Sequence, residues 1–234
     1  MEVHPPHHAL HSWRDFFIHI GTITVGLLIA IGLEQTVEAI HHHRELTELR
    51  ESLHRDTEKA SKDVTDAIKA EQLQINWIKD RVAQVRKAVE DRNPLPAPPQ
   101  QERADFDLPD YPAWKAAKSS GELVLMSQDE IKAYSEVDFG MAEIQKAFDQ
   151  LSTARRKSGQ YEAMFKHPEG SDAADFTGAT PQDLRQYLEL LMDEWGSTAE
   201  FTTACVQMRG ALYAVAHGEL DLGKIQNAER KAKP

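Results

Sequence analysis

One stretch limits what this chain can become: residues 16–33, FFIHIGTITVGLLIAIGL, eighteen positions without an Asp, Glu, Lys or Arg. Arg14-Asp15 precede it and Glu34 follows. As an α-helix rising 1.5 Å per residue it reaches about 27 Å, close to the hydrocarbon thickness of a bilayer. Eleven of the eighteen are Phe, Ile, Leu or Val, a contribution of about −3 to −6 kcal/mol on insertion scales. Three glycines, two threonines and His19 subtract from it. Trp13 stands where an interfacial aromatic anchor belongs. The run therefore predicts a single-pass transmembrane helix. A cleaved signal peptide would find a small-x-small site at Ala30-Ile31-Gly32, but the run exceeds a usual signal core and its leader has one arginine in place of a basic cluster. The core helix of a soluble protein would need apolar surroundings that the rest of the chain lacks.

Orientation is nearly balanced by charge, with Arg14 on one side and Arg44 and Arg50 on the other. A signal-anchor reading puts the short His-rich tail, residues 1–15, in the cytoplasm and residues 34–234 outside.

Residues 34–92 contain neither proline nor glycine, so the anchor should continue as a long stalk helix stopped by Asn93-Pro94. Its apolar stripe includes Leu46, Leu53, Thr57, Val64, Ile68, Glu71, Ile75, Val82 and Val89. It advances 3.67 residues per step over residues 46–68 and 3.5 over residues 68–89, an 11-residue period giving way to a coiled-coil heptad. Six prolines in residues 93–112 demand a loop or extended segment. Residues 113–223 read as a helical domain. A short helix over residues 113–119 ends near Gly121, and Ser127 opens a capping box for a middle helix facing inward through Tyr134, Val137, Met141, Ile144, Phe148 and Leu151. That helix fades near His167-Pro168. Thr180-Pro181-Gln182-Asp183 starts a last helix carrying Leu184, Leu188, Leu191, Trp195, Cys205, Leu212 and Val215, ending near His217-Gly218. Residues 224–234 show no apolar pattern and should fray. The fold class expected is all-α: a transmembrane helix continuing into a stalk, packed with two further long helices as an elongated antiparallel bundle.

A net charge of −11 argues against nucleic acid, which needs a basic face. With Cys205 the one cysteine, no intrachain disulfide or cysteine zinc cage can form. Its place on the apolar stripe marks a buried structural thiol. His4, His7, His8, His11, His19, His41, His42, His43 and His54 tempt a metal reading. An intervening span would separate the two main clusters, and His41–His43 point about 100° apart around a helix. His167 and His217 fit helix-end roles. There is no HExxH, GxSxG, P-loop or dinucleotide fingerprint, so no catalysis, cofactor or resident metal is expected. On the span, Thr22, Gly26 and Ala30 form a small-xxx-small face that allows close helix–helix packing. The stalk heptad could extend such a dimer or pack on the chain's own later helices.

Two segments, VGLLIAIGLEQTVE and WKAAKSSGELVLMSQDEIKAYSEVD, resemble an uncharacterised family of bacterial single-pass membrane proteins. The matching residues are Gly26, Leu28, Ile29, Ala30 and Gln35, then Lys118, Ser120, Gly121, Leu123, Met126 and Tyr134. That family has no established activity. The resemblance implies a bacterial inner-membrane location and this architecture, and supplies no catalytic residue. The expected function is a membrane-anchored interaction or scaffold module, partnered by the bilayer and by another protein or a second copy. The alternatives are an extracytoplasmic sensory bundle signalling through a partner, or a histidine-dependent metal-binding protein.

Overall fold

The structure, a computed structural model, describes residues 13–98, 104–165 and 174–232. Among them every regular element is helical, the one β feature being an isolated bridge between Leu95 and Phe176. The helices are α1 (Trp13–Asp91), α2 (Pro112–Ser120), α3 (Gln128–Ala163), α4 (Pro181–Ala216) and α5 (Leu222–Lys231), with a 3₁₀ turn over Glu122–Leu125. By its contacts the chain divides into two units, residues 1–49 and 50–234.

In the first unit every residue from Trp13 to Arg44 is exposed. No proline interrupts the helix, and Thr22 and Thr36 return their hydroxyls to the carbonyls of Ile18 (2.8 Å) and Gly32 (2.7 Å).

The second unit is built around the expected stripe. Leu53, Thr57, Ala60, Val64, Ile78 and Val85 have no exposure, and Glu71 only 1 %. Facing them, α3 buries Val137, Ile144 and Leu151, while α4 buries Leu184, Tyr187, Leu191, Thr198, Phe201, Cys205 and Leu212. Both predicted N-terminal signatures are complete capping boxes, Ser127 with Glu130 and Thr180 with Asp183. Gly121 (φ 85°) and Gly218 (φ 79°) take the left-handed conformation at the ends of α2 and near that of α4.

Helix direction corrects the sequence-based expectation. Arg50 pairs with Glu130 and Glu71 with Arg155, so positions on α1 and α3 ascend together. Gln74 meets Glu194 and Arg81 meets Tyr187, so α4 descends against α1. It descends against α3 as well, through Phe148–Phe201 and Ser158–Glu194. Thus α1 and α3 run parallel, with α4 antiparallel to both, in place of three antiparallel helices. The proline-rich connection makes this topology reachable. Arg81 donates to the Pro96 carbonyl (2.8 Å), Phe106 packs on Phe148 and Phe201, Tyr111 Oη bonds Thr57 (2.6 Å), and Asp56 accepts from the Ala113 N–H (2.7 Å). The connection's described parts, residues 93–98 and 104–111, form a strap returning along α1. Twenty residues at about 3 Å each reach farther than the roughly 50 Å of helix to be retraced between Asp91 and Thr57.

The C-terminal tail is the second correction. In place of fraying from residue 224, α5 runs to Lys231, capped by Asp221 and anchored by Ile225, which has no exposure. A helix of ten residues can be held by one apolar knob, which leaves no repeating stripe in the sequence.

Candidate functional site

Two features stand out: the exposed apolar helix of the first unit and a buried polar layer in the second.

The first has a mean hydropathy of 2.2 over eighteen residues, none of them buried, and is the one helix among the described residues long and apolar enough to cross a membrane. Trp13, Phe16 and Phe17 cluster at its start with ring centroids 5.6–5.7 Å apart. Thr22, Gly26 and Ala30 are exposed, and a Cβ placed on Gly26 would have no neighbour within 4 Å. Beyond the apolar run, the histidines pair locally along the helix. His41 lies 3.0 Å from Glu45, His42 lies 4.0 Å from Glu38 and, in the second unit, His54 lies 3.4 Å from Glu58. Each ring serves its own carboxylate one turn away. Among the described residues no group of three or more His, Cys, Asp or Glu is placed to hold a metal. His4, His7, His8, His11 and His167 lie outside the described residues.

The second feature lies at one level of α1, α3 and α4. Glu194 accepts from Ser158 Oγ (2.6 Å) and Gln74 Nε2 (3.1 Å), while Arg155 donates to Glu71 and lies 3.6 Å from Glu194. The Glu71 and Glu194 side chains are only 2 % and 6 % exposed. Two carboxylates therefore share one guanidinium in a region otherwise packed with Ala, Val, Leu and Phe. Beside them is a cavity of about 230 Å³ lined by Glu71, Gln74, Asp105, Phe106, Phe148 and Arg155. Burial, with the negative charge of Glu71 adding to it, pushes the Cys205 thiol up to about 12. At neutral pH this thiol is protonated and unreactive, consistent with a packing role.

A third polar group, Arg81, has no exposed surface. Its guanidinium carbon sits 5.6 Å from the ring centres of both Phe176 and Tyr187, and Nη1 donates to Gln84 (2.9 Å) as well as to Pro96. The Tyr187 hydroxyl donates a hydrogen bond to the Glu162 carboxylate. Burial first, then the charge of Glu162, pushes the Tyr187 phenol well above its ordinary range. These groups fasten the strap and the start of α4 to α1.

Sequence reasoning placed Glu71 on the buried stripe but missed Gln74, Arg81, Arg155, Ser158 and Glu194. A signal for them exists. Leu184, Tyr187, Leu191, Glu194, Thr198, Phe201, Cys205, Met208, Leu212 and Val215 are all buried and alternate by three and four residues, a heptad seam in which Glu194 occupies a core position. His217 caps α4, with Nδ1 2.8 Å from the Tyr213 carbonyl, as its position before Gly218 suggests.

No family model matches the chain, and neither curated proteins nor solved structures yield a match.

Proposed function

We propose that this protein is a single-pass, membrane-anchored helical module that binds a partner protein or a second copy of itself, without catalysis of its own. The observation that carries the reading is the run of residues 16–33, wholly exposed in the first part of α1. Eleven large apolar side chains held in water would be an aggregation liability, whereas lipid removes that cost. The Thr22, Gly26 and Ala30 face then serves close packing with another membrane helix, and residues 50–234 form the folded body that the anchor holds at the surface. A bacterial inner membrane is the location that the family resemblance favours, and the signal-anchor reading of the short leader puts the body on the extracytoplasmic side. Crosslinking of the full chain in native membranes tests this function: specific covalent neighbours, or a doubled chain, are expected. Monomer alone at every crosslinker length would contradict it.

A sensory ligand-binding bundle is the second reading, favoured by the cavity beside Glu71 and Arg155. Both charge signs and two phenyl rings line it, which suits a small zwitterionic or cationic molecule. Replacing Ala70, which also lines it, with Trp should abolish any ligand-induced rise in melting temperature while leaving crosslinking unchanged.

A further inference from the structure

Beyond the apolar run, α1 keeps aliphatic side chains in the open. Leu33, Val37 and Ile40 are 64 %, 67 % and 65 % exposed, on a segment where every residue is exposed. Val37 and Ile40 lie roughly 6 and 10 Å past Leu33 along the helix axis. A headgroup layer is about 5–7 Å deep, so lipid can cover Val37 in part and Ile40 hardly at all.

Their spacing is not random. Gly26, Ala30, Leu33, Val37 and Ile40 alternate by four and three residues, and at 100° per residue they share an arc of about 80°. In heptad terms Ala30 and Val37 occupy a positions, while Gly26, Leu33 and Ile40 occupy d positions. A β-branched residue at a with Leu at d, as at Val37 and Leu33, is the preference of a parallel two-stranded coiled coil. Inside the lipid the same face narrows to Gly and Ala, which lets two backbones approach where packing has to replace the hydrophobic effect. The seam ends at Arg44, the next a position, whose guanidinium bonds Glu48 of its own chain (3.0 Å). His43 at g and Glu48 at e stand five residues apart, the offset at which g and e side chains meet across a parallel dimer.

We propose that the occupant of this face is a second copy of the same chain, forming a parallel, two-fold dimer along Gly26, Ala30, Leu33, Val37 and Ile40. This rests on the anchored reading. Copies inserted by one route share an orientation, so their helices must be parallel and each seam residue meets its own counterpart across the axis. A face that is self-complementary under that constraint, and uncovered in its own chain, fits another copy better than an unrelated helix.

The test is a single-cysteine scan of the full chain in membranes under a copper–phenanthroline oxidant. Cys205 is fully buried, so the parent chain should give no disulfide-linked doubled chain. Leu33→Cys, Val37→Cys and Ile40→Cys should each give a doubled chain in several-fold excess over Gln35→Cys and His42→Cys, which lie on the opposite side of the helix. Adding Gly26→Ile should reduce the Val37→Cys product several-fold by wedging the helices apart. Equal yield at all five positions, no doubled chain, or disulfides to a different protein would each overturn the dimer while leaving the anchor intact. A carbonate wash of the same membranes separates the two failures: if the chain is released, the anchored reading falls and the dimer with it.

Discussion

At the scale of single residues, Glu130 does two jobs. It accepts the Ser127 N–H (2.8 Å) to close the capping box of α3, and it receives a two-pronged hydrogen bond from Arg50 at 2.6 and 3.1 Å. The Arg50 hydrogen bonds, helped by Ser127 and opposed by burial, hold its carboxyl at about 2 against an ordinary 4.5. A lowered folded-state value means the stabilisation is complete above about pH 4.5 and drains as pH falls toward 2. Arg50 is half-exposed, so solvent screening limits this to about 1–2 kcal/mol. Glu130→Gln should therefore lower the urea midpoint at pH 7 and narrow the gap to wild type at pH 3. Arg155 poses the opposite problem, two carboxylates on one cation. Arg155→Ala should cost about 3–5 kcal/mol because it strands Glu71 and Glu194 in the core. Arg155→Met with Glu71→Leu should recover much of that loss, and a double-mutant cycle read by thermal unfolding measures the coupling. Glu71 was legible because a charge interrupted an apolar stripe. Its partners were not, because a sequence does not say which helices lie side by side at that level.

Elements were easier to read than their partners. The capping boxes at Ser127 and Thr180, the left-handed glycines 121 and 218, and the proline stop after Asp91 are local chemistry, and the helix bounds follow them closely. Helix direction is a non-local property, fixed by Phe106, Tyr111 and Pro96 binding the strap back along α1, and hydrophobic periodicity carries no trace of it. The short α5 escaped for a different reason: it is held by Ile225 and by the close approach of its backbone to Gly210. A Cβ on Gly210 would lie 2.5 Å from the Ala228 carbonyl oxygen. Gly210→Ala should therefore push α5 off α4, costing about 1–3 kcal/mol. Limited proteolysis should then cut within residues 222–231, where the wild-type chain resists. Arg92 ends α1 at φ 54°, a left-handed position without the usual glycine. Arg92→Gly should relieve that strain and stabilise the second unit by about 0.5–1 kcal/mol, read as a raised melting temperature.

The whole molecule divides into two units of different surface character. Residues 50–234 bury a core in the manner of any water-soluble helical domain, with charged groups turned outward or paired. Residues up to 49 include an apolar helix with nothing over it, a candidate membrane span by its length and composition. The anchored account depends on that single assignment, and washing membranes that contain the intact chain with alkaline carbonate tests it most directly. The account predicts that the full-length polypeptide stays in the pelleted membranes and leaves only with detergent. Release of the unprocessed chain into the carbonate supernatant would contradict it.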